Sequence, residues 1–219
     1  MKMRRAPLIF VTLALVAGST AAQSPLTKLS GEVVTLNGAN LQLKTSAGER
    51  LDIRLSDQAR LTMRSPIDKS AIGQGVYLGT TAAPQPDGTL VASEVHIFAE
   101  AMRGTSEGHR PMPNDPVNTM TNATVASVSA NRTQDAAGTG TVVAASSQGA
   151  HALRMTLHYK GGEKVVIVPD DTPIVMMEMG ERGMLVPGAH VVVYATQQPG
   201  GALLAERINI GKNGYVPLQ

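Results

Sequence analysis

The chain has 219 residues, of which 42% are hydrophobic, 3% aromatic and 16% charged, with no cysteine and no tryptophan. Without cysteine it has no disulfides, no thiolate nucleophile, no cysteine-based zinc or redox site and no lipid-anchoring cysteine. The formal net charge is +2, from 19 basic and 17 acidic residues.

An export signal is predicted at the N-terminus. Three basic residues among the first five precede an apolar run over residues 6–17, and small residues follow as far as Ala22. This order is typical of a secretory signal peptide, and the run is shorter than the roughly 18 residues of a membrane-spanning helix. We therefore expect a signal peptide over residues 1–22 and a periplasmic or secreted mature chain without a membrane span.

Removal of the leader changes the charge balance. It takes three of the 19 basic residues and none of the 17 acidic ones, which leaves 16 against 17. The mature chain is then close to neutral, and its charge gives no reason to expect nucleic acid as a partner.

The first half of the mature chain, residues 28–98, is predicted to form β-strands. Apolar residues recur with a period of two, as in Leu41 and Leu43, which is typical of half-buried antiparallel strands. Turn residues separate the strands at 37–38, 47–48 and 86–88. Ser65 as an N-cap and Pro66 in the first turn predict a two-turn helix over 65–73. Three strands, a short helix and two strands are the order of a five-stranded OB-type Greek-key barrel.

The second half repeats the first. Residues 87–97 match 200–210 without a gap, 48–53 match 162–167, and 71–81 follow the pattern of 186–196. Only two copies exist and each is long enough for its own core, which indicates a duplicated domain. The predicted fold is therefore all-β: two tandem small five-stranded OB-like Greek-key barrels, each with one short helix.

The repeat also predicts the domain boundaries. The first OB-like barrel is expected at 23–98, a Gly/Pro linker at 99–120 and the second barrel at 121–219. The second half carries about 22 additional residues near 129–150. Their Asn, Gly, Ser, Thr and Ala content predicts a loop or hairpin with little core of its own.

The joining segments at 103–111 and 119–125, with the repeated Gly-Gly-x-Leu type of closing strand, carry a family resemblance. The chain resembles an uncharacterised family, a domain of unknown function, of exported bacterial proteins with tandem OB-like β-barrel domains. The resemblance implies an envelope location and the fold. It implies no activity and no site residues.

Aromatic and methionine residues bear on the ligand class. OB barrels that bind nucleic acid stack bases on exposed aromatics, but Phe98 is the one Phe of the mature chain, so no nucleic-acid partner is expected. The second half contains four clustered methionines, whose thioethers could bind copper(I) or simply fill a core that has few aromatics. Packing is the favoured interpretation of this cluster, which consists of Met176, Met177, Met179 and Met184.

Catalytic motifs are not apparent. The five histidines lack the spacing of a zinc site, and no phosphate-binding glycine loop or nucleotide fingerprint occurs. A triad assembled from distant loops would not be visible in the sequence. We expect no enzyme and no cofactor.

The linker supplies the predicted binding residues. Arg103, Glu107, His109 and Arg110 lie among Gly and Pro, a composition that restricts the backbone and keeps polar side chains exposed, as in binding loops. A solvated tether is the alternative for this segment. The sequence thus favours a non-enzymatic cell-envelope binding or assembly module for an envelope protein or small ligand. A periplasmic metal-binding protein, copper before zinc, is second, and an enzyme is third.

Overall fold

The computed structural model describes residues 26–112, 115–130 and 152–217. In these ranges the chain is all-β, as predicted, with twelve strands and four short 3-10 helices. The predicted signal peptide and almost all of the predicted insertion near 129–150 lie outside the described residues.

Five strands fall in the first half, at the places that the alternating pattern predicts. They are β1 (Leu26–Asn37), β2 (Asn40–Thr45), β3 (Arg50–Pro66), β4 (Tyr77–Pro84) and β5 (Leu90–Phe98). The predicted tight turns are confirmed at Gly38, Gly48 and Gly88, whose φ angles of 60°, 86° and 83° glycine adopts without a steric penalty.

The other seven strands include two that lie within the predicted linker or begin there. They are β6 (Gly108–Met112), β7 (Asp115–Ala130), β8 (Leu153–Tyr159), β9 (Gly162–Val168), β10 (Ile174–Met179), β11 (His190–Gln197) and β12 (Leu203–Gly211). By alignment with β3, the strands β9 and β10 are the two parts of one interrupted strand.

The short helix after the third strand is present but smaller than predicted. It is a 3-10 turn over Lys69–Ala71, and Asp68 caps it by accepting a 2.8 Å hydrogen bond from the Ser70 amide. Ser65 and Pro66, the predicted helix start, instead end β3. Proline fits the end of a strand as well as the first turn of a helix, so the residue type does not distinguish the two.

Five strands close a barrel. β1 pairs with β2 and β11, β2 with β3, β3 with β12, and β12 with β11. The β3–β12 pairing is parallel and the others are antiparallel. Inside lie side chains that are at most 1% exposed, each worth about 1.5–3 kcal/mol on burial, among them Leu41, Leu43, Ile53, Val193 and Ile208.

A second circuit of pairings runs through β7, β8, β9, β5 and β4. Its β5–β9 link is parallel and consists of two residue pairs. This circuit surrounds a separate core that includes Leu78, Val95, Val125, Met155 and Leu157. Strand β10 pairs with both β5 and β3, so the twelve strands form one continuous sheet.

Each circuit takes strands from both halves of the chain. The expectation that each half closes its own barrel is therefore wrong. Strands β1 to β3 close with β11 and β12, and β7 to β9 close with β4 and β5. Because the repeat gives both halves equivalent last strands, the hydrophobic pattern fits either pairing.

The junction between the halves is nearly symmetric. Met63 of β3 lies opposite Glu178 of β10, and Arg64 lies opposite Met177, which is the repeat equivalent of Met63. Arg64 Nη1 also lies 3.1 Å from Glu94 Oε1 of β5, with side chains only 13% and 18% exposed. This half-buried ion pair connects β3 to the closing strand of the second circuit.

Candidate functional site

The predicted linker is folded onto the second circuit. Residues 99–112, here called the strap, form a 3-10 turn at Glu100–Met102, a further turn, and then β6, which pairs with β7. Met102 is buried with Tyr77, Phe98 and Met177 in a third apolar cluster. The strap is therefore attached to the barrel surface by Met102 near its start and by the pairing of β6 with β7 at its end.

Arg103, the first predicted binding residue, is held by the protein itself. Its Nε and Nη2 donate to the Glu100 carboxylate at 2.6 and 2.8 Å, and Nη2 also donates to the Gly75 carbonyl at 3.1 Å. The guanidinium lies 5.8 Å from the centre of the Tyr77 ring. These contacts give Arg103 a structural role in fastening the strap to the start of β4.

The other three predicted residues also have partners within the chain. The Lys160 amide donates to Glu107 Oε1 at 2.9 Å, and Arg110 Nη1 donates to the Ser106 carbonyl at 2.9 Å. His109 Nδ1 lies 2.8 Å from Thr121 Oγ1, and burial, with a smaller effect of Lys164, lowers the pKa of His109. His109 and Arg110 are successive residues of a strand and point to opposite faces.

A buried polar pair lies beneath the strap. His96 is 5% exposed, and burial, reinforced by Arg64 and Arg110, lowers its pKa to about 3, so the ring is neutral at physiological pH. Asn122 lies beside it and donates through Nδ2 to the Thr105 carbonyl at 3.1 Å. At Gly79 a Cβ would overlap both side chains, which explains why glycine is required there. Asn122 anchors the strap through this bond, and both side chains are buried.

The methionines of the second half are dispersed. Met177 is buried in the apolar cluster beneath the strap, Met176 packs against the second core and Met184 packs against the first core. Met179 is 63% exposed. Three of the four side chains therefore pack against three different clusters, which supports the packing interpretation.

A cleft lies away from the strap, on the barrel that β1, β2, β3, β11 and β12 close. This barrel is called the first circuit below. The volume of the cleft is about 740 Å³, and β1, the β2–β3 turn, the start of β11 and the C-terminal segment line it. Glu32 of β1 lies opposite Lys44 of β2 on one side and opposite His190 of β11 on the other. The three side chains form a row that faces outward, since the neighbouring Val33 and Val191 point into the core.

The charges in this row are only partly compensated. His190 Nδ1 lies 3.8 Å from Glu32 Oε1, whereas no described residue pairs with the Lys44 ammonium group. Val216 and Pro217 of the C-terminal segment supply an apolar wall. A cation, a carboxylate and an imidazole thus meet apolar surface in one cleft, the arrangement of a site for a small polar ligand.

Sequence reasoning did not find this cleft. The alternating pattern places Glu32 and Lys44 on polar faces of their strands, but it does not give the register that aligns them. His190 comes from a strand that was expected to belong to the other barrel. No signal in the sequence joins these three residues.

Comparisons of the chain with protein-family models, with curated proteins and with solved structures find no match. Among the described residues, none of the helices has the length and apolar character that crossing a membrane requires. The same ranges contain no group of three or more His, Asp or Glu side chains that could hold a metal ion.

Proposed function

We propose that this is a non-enzymatic cell-envelope protein that binds a ligand in the cleft of the first circuit. The observation that carries the proposal is the row of Lys44, Glu32 and His190 across three neighbouring strands in a cleft of about 740 Å³. Small-molecule sites commonly have volumes of about 300–1,000 Å³ and a few converging polar groups. The leader at residues 1–22 supports the envelope location.

We also infer that both circuits are OB-like barrels that exchange their last two strands. The first circuit pairs its strands in the order that a five-stranded Greek-key barrel requires, with β11 and β12 in the fourth and fifth places. The short 3-10 turns at Lys69–Ala71 and Arg182–Met184 occupy the position of the helix that follows the third strand. Exchange leaves each barrel complete and joins the halves.

The charges of the cleft favour a ligand with both an anionic and a donor group. Lys44 offers an ammonium to a carboxylate or phosphate, and the Glu32 carboxylate accepts from an amine or hydroxyl. A hydrogen bond to a charged group contributes about 1.5–3 kcal/mol. A zwitterion such as an amino acid or peptide matches this pattern better than a neutral sugar or a polyanion.

The contacts of His109 and His96 give neither residue a catalytic position. His109 lies within hydrogen-bond distance of a hydroxyl, but that hydroxyl belongs to Thr121, which is fully buried. A substrate cannot reach a nucleophile in that position. His96 is also enclosed, with its pKa lowered to about 3 by burial.

The test is ligand retention by the exported protein. Native mass spectrometry of protein purified from the periplasm reports any molecule that stays bound, and thermal shifts with amino acids, short peptides, sugars and phosphate rank the ligand classes. We expect the zwitterions to raise the melting temperature, and Lys44→Gln and Glu32→Gln to remove that shift. His158→Gln is the matched control, because His158 occupies the position equivalent to Lys44 on the second circuit. If the shift is equal in all four proteins, or no ligand class produces one, the proposal fails.

A further inference from the structure

The two circuits present equivalent surfaces. Glu32 of β1 lies opposite Lys44 and His190, and Thr124 of β7 lies opposite His158 and Tyr77 in the same way. In each circuit a buried valine follows this central residue. β1 thus corresponds to β7, β2 to β8, and β11 to β4. Tyr77 is equivalent to His190, so residues 71–81 correspond to 184–194, and the match to 186–196 predicted from the sequence is shifted by two residues.

In the second circuit an additional strand covers the free edge of β7. There β6 pairs antiparallel with β7, placing Gly108 opposite Asn122 and Arg110 opposite Met120. The strap that leads into β6 passes over Tyr77, whose hydroxyl donates to the Thr105 carbonyl at 3.0 Å. The chain therefore fills this edge and the adjoining surface with its own extended segment.

In the first circuit the equivalent edge of β1 is open. Ser30 and Lys28 correspond to Asn122 and Met120, and residues 26–30 pair with β11 on one side while no described strand pairs with them on the other. The Ser30 carbonyl accepts from the Ser46 amide at 3.2 Å, which shows that the polar groups of Ser30 point to the open side. Since backbone groups alternate along a strand, those of Lys28 and Leu26 point there too. Leu26 is 46% exposed.

The open edge runs into the cleft. Ser30 and Ser46 both line the cleft, and its floor includes His190, the residue equivalent to Tyr77. The cleft therefore occupies the place where the strap lies in the second circuit. Amide groups at Leu26 and Lys28 that pair with no described strand, beside a Lys44 ammonium that forms no ion pair with a described residue, suit a backbone that also carries a carboxylate.

We propose that the edge of β1 at residues 26–30 binds an extended peptide segment, which adds to the sheet as an antiparallel strand in the way β6 adds to β7. Main-chain hydrogen bonds to Leu26 and Lys28 hold the peptide, and the cleft receives its continuation with a carboxylate directed at Lys44. This inference rests on the proposed function, since it names the ligand of the same cleft.

The probe is a synthetic peptide. It is first selected from a display library of random decapeptides by binding to the exported protein. We expect enrichment of peptides with an acidic residue, and a loss of affinity of about tenfold or more in Lys44→Gln. Strand addition makes a second demand on the peptide. Only every second amide of the bound peptide faces β1. N-methylation of the amides that face β1 abolishes binding, and N-methylation of the intervening amides leaves binding nearly unchanged.

Two variants place the peptide on the edge. Lys28→Pro removes an amide that points to the open side, so the fold stays and binding falls at least tenfold, whereas Lys28→Ala keeps the amide and the affinity. If Lys28→Pro does not fold, comparing the two sets of N-methylated peptides on the unchanged protein still tests strand addition. Equal effects of methylating either set of amides, or unchanged affinity in a folded Lys28→Pro, would overturn the inference.

If the library gives no binder while native mass spectrometry finds a small molecule in the cleft, this inference fails and the proposed function stands. If neither method finds a ligand, both fail.

Discussion

Thr62 donates a 2.7 Å hydrogen bond through Oγ1 to Oδ1 of Asn209, 147 positions later in the chain, and both residues are buried. Thr62 lies on β3 and Asn209 on β12, directly opposite each other in the parallel pairing of these strands. A strand of the first half is thus tied to a strand of the second by a polar contact inside the sheet. Side-chain hydrogen bonding therefore supports the pairing of β3 with β12 in addition to the backbone hydrogen bonds.

The buried Thr62–Asn209 contact gives a prediction for stability. Thr62→Val keeps the shape but leaves the Asn209 oxygen without its donor, so we expect a loss of about 1–3 kcal/mol in the free energy of unfolding. Thr62→Ser keeps the hydroxyl and should lose less. Adding Asn209→Leu to Thr62→Val should cost less than the sum of the two single changes, as measured by urea unfolding. Simple additivity would show that the bond contributes nothing specific.

Strand exchange predicts the behaviour of a nicked chain. A specific protease site introduced at Ser106, which lies in an exposed turn with a φ of 49°, would separate the first five strands from the rest. Because each circuit needs strands from both fragments, the cut protein should elute as one species in size-exclusion chromatography and separate only in denaturant. Elution of two folded fragments without denaturant would rule out the exchange.

His96 gives a prediction for pH dependence. Its pKa falls from about 6.5 to about 3 on folding, so below pH 6.5 the unfolded chain binds more protons than the folded one. The stabilisation is complete above pH 6.5 and declines as the pH falls toward 3, by at most about 1.4 kcal/mol per pH unit. In His96→Asn, which introduces the residue found at the equivalent position 209, the slope between pH 6.5 and 5 should be smaller. Equal slopes in the wild type and in His96→Asn would contradict the assignment.

The methionines give a prediction that separates packing from metal binding. Changing Met176, Met177, Met179 and Met184 together to Leu roughly conserves volume, so stability should change by less than about 1.5 kcal/mol. Met177→Ala should cost about 2–5 kcal/mol because Met177 is buried, while Met179→Ala at an exposed site should cost little. Isothermal titration with copper(I) completes the test. Stoichiometric binding by the wild type that the Leu variant loses would show that the methionines are ligands.

The strands and turns could be predicted from the sequence, but their partners could not. Alternation at Leu41 and Leu43 and the turn glycines reflect local backbone geometry, which a short segment specifies by itself. Strand β3 could pair with either β5 or β12, since these two strands are equivalent in the repeat. The choice between them depends on the tertiary fold and not on the local sequence. Both have the same apolar pattern, as Leu90 and Leu203 illustrate.

The site was less accessible to prediction for a related reason. The strap was predicted as a linker because Gly108 and Pro111 are typical of loops. Strand β6 has only five residues, too few for an alternating pattern, and it is held by backbone hydrogen bonds to β7. Arg103 and Glu107 were predicted as binding residues, and in the structure both contact other parts of the chain. The row across Lys44, Glu32 and His190 exists only through the register of three strands.

Site-specific photo-crosslinking in intact cells tests the proposed location of binding most directly. A photoreactive amino acid at Thr45, in the wall of the cleft, is compared with the same residue at Arg110 on the strap, each in an otherwise unchanged chain. We predict a reproducible adduct from position 45 that Lys44→Gln diminishes, and none from position 110. An adduct from position 110 and none from position 45 would place the contact surface on the strap and contradict the account.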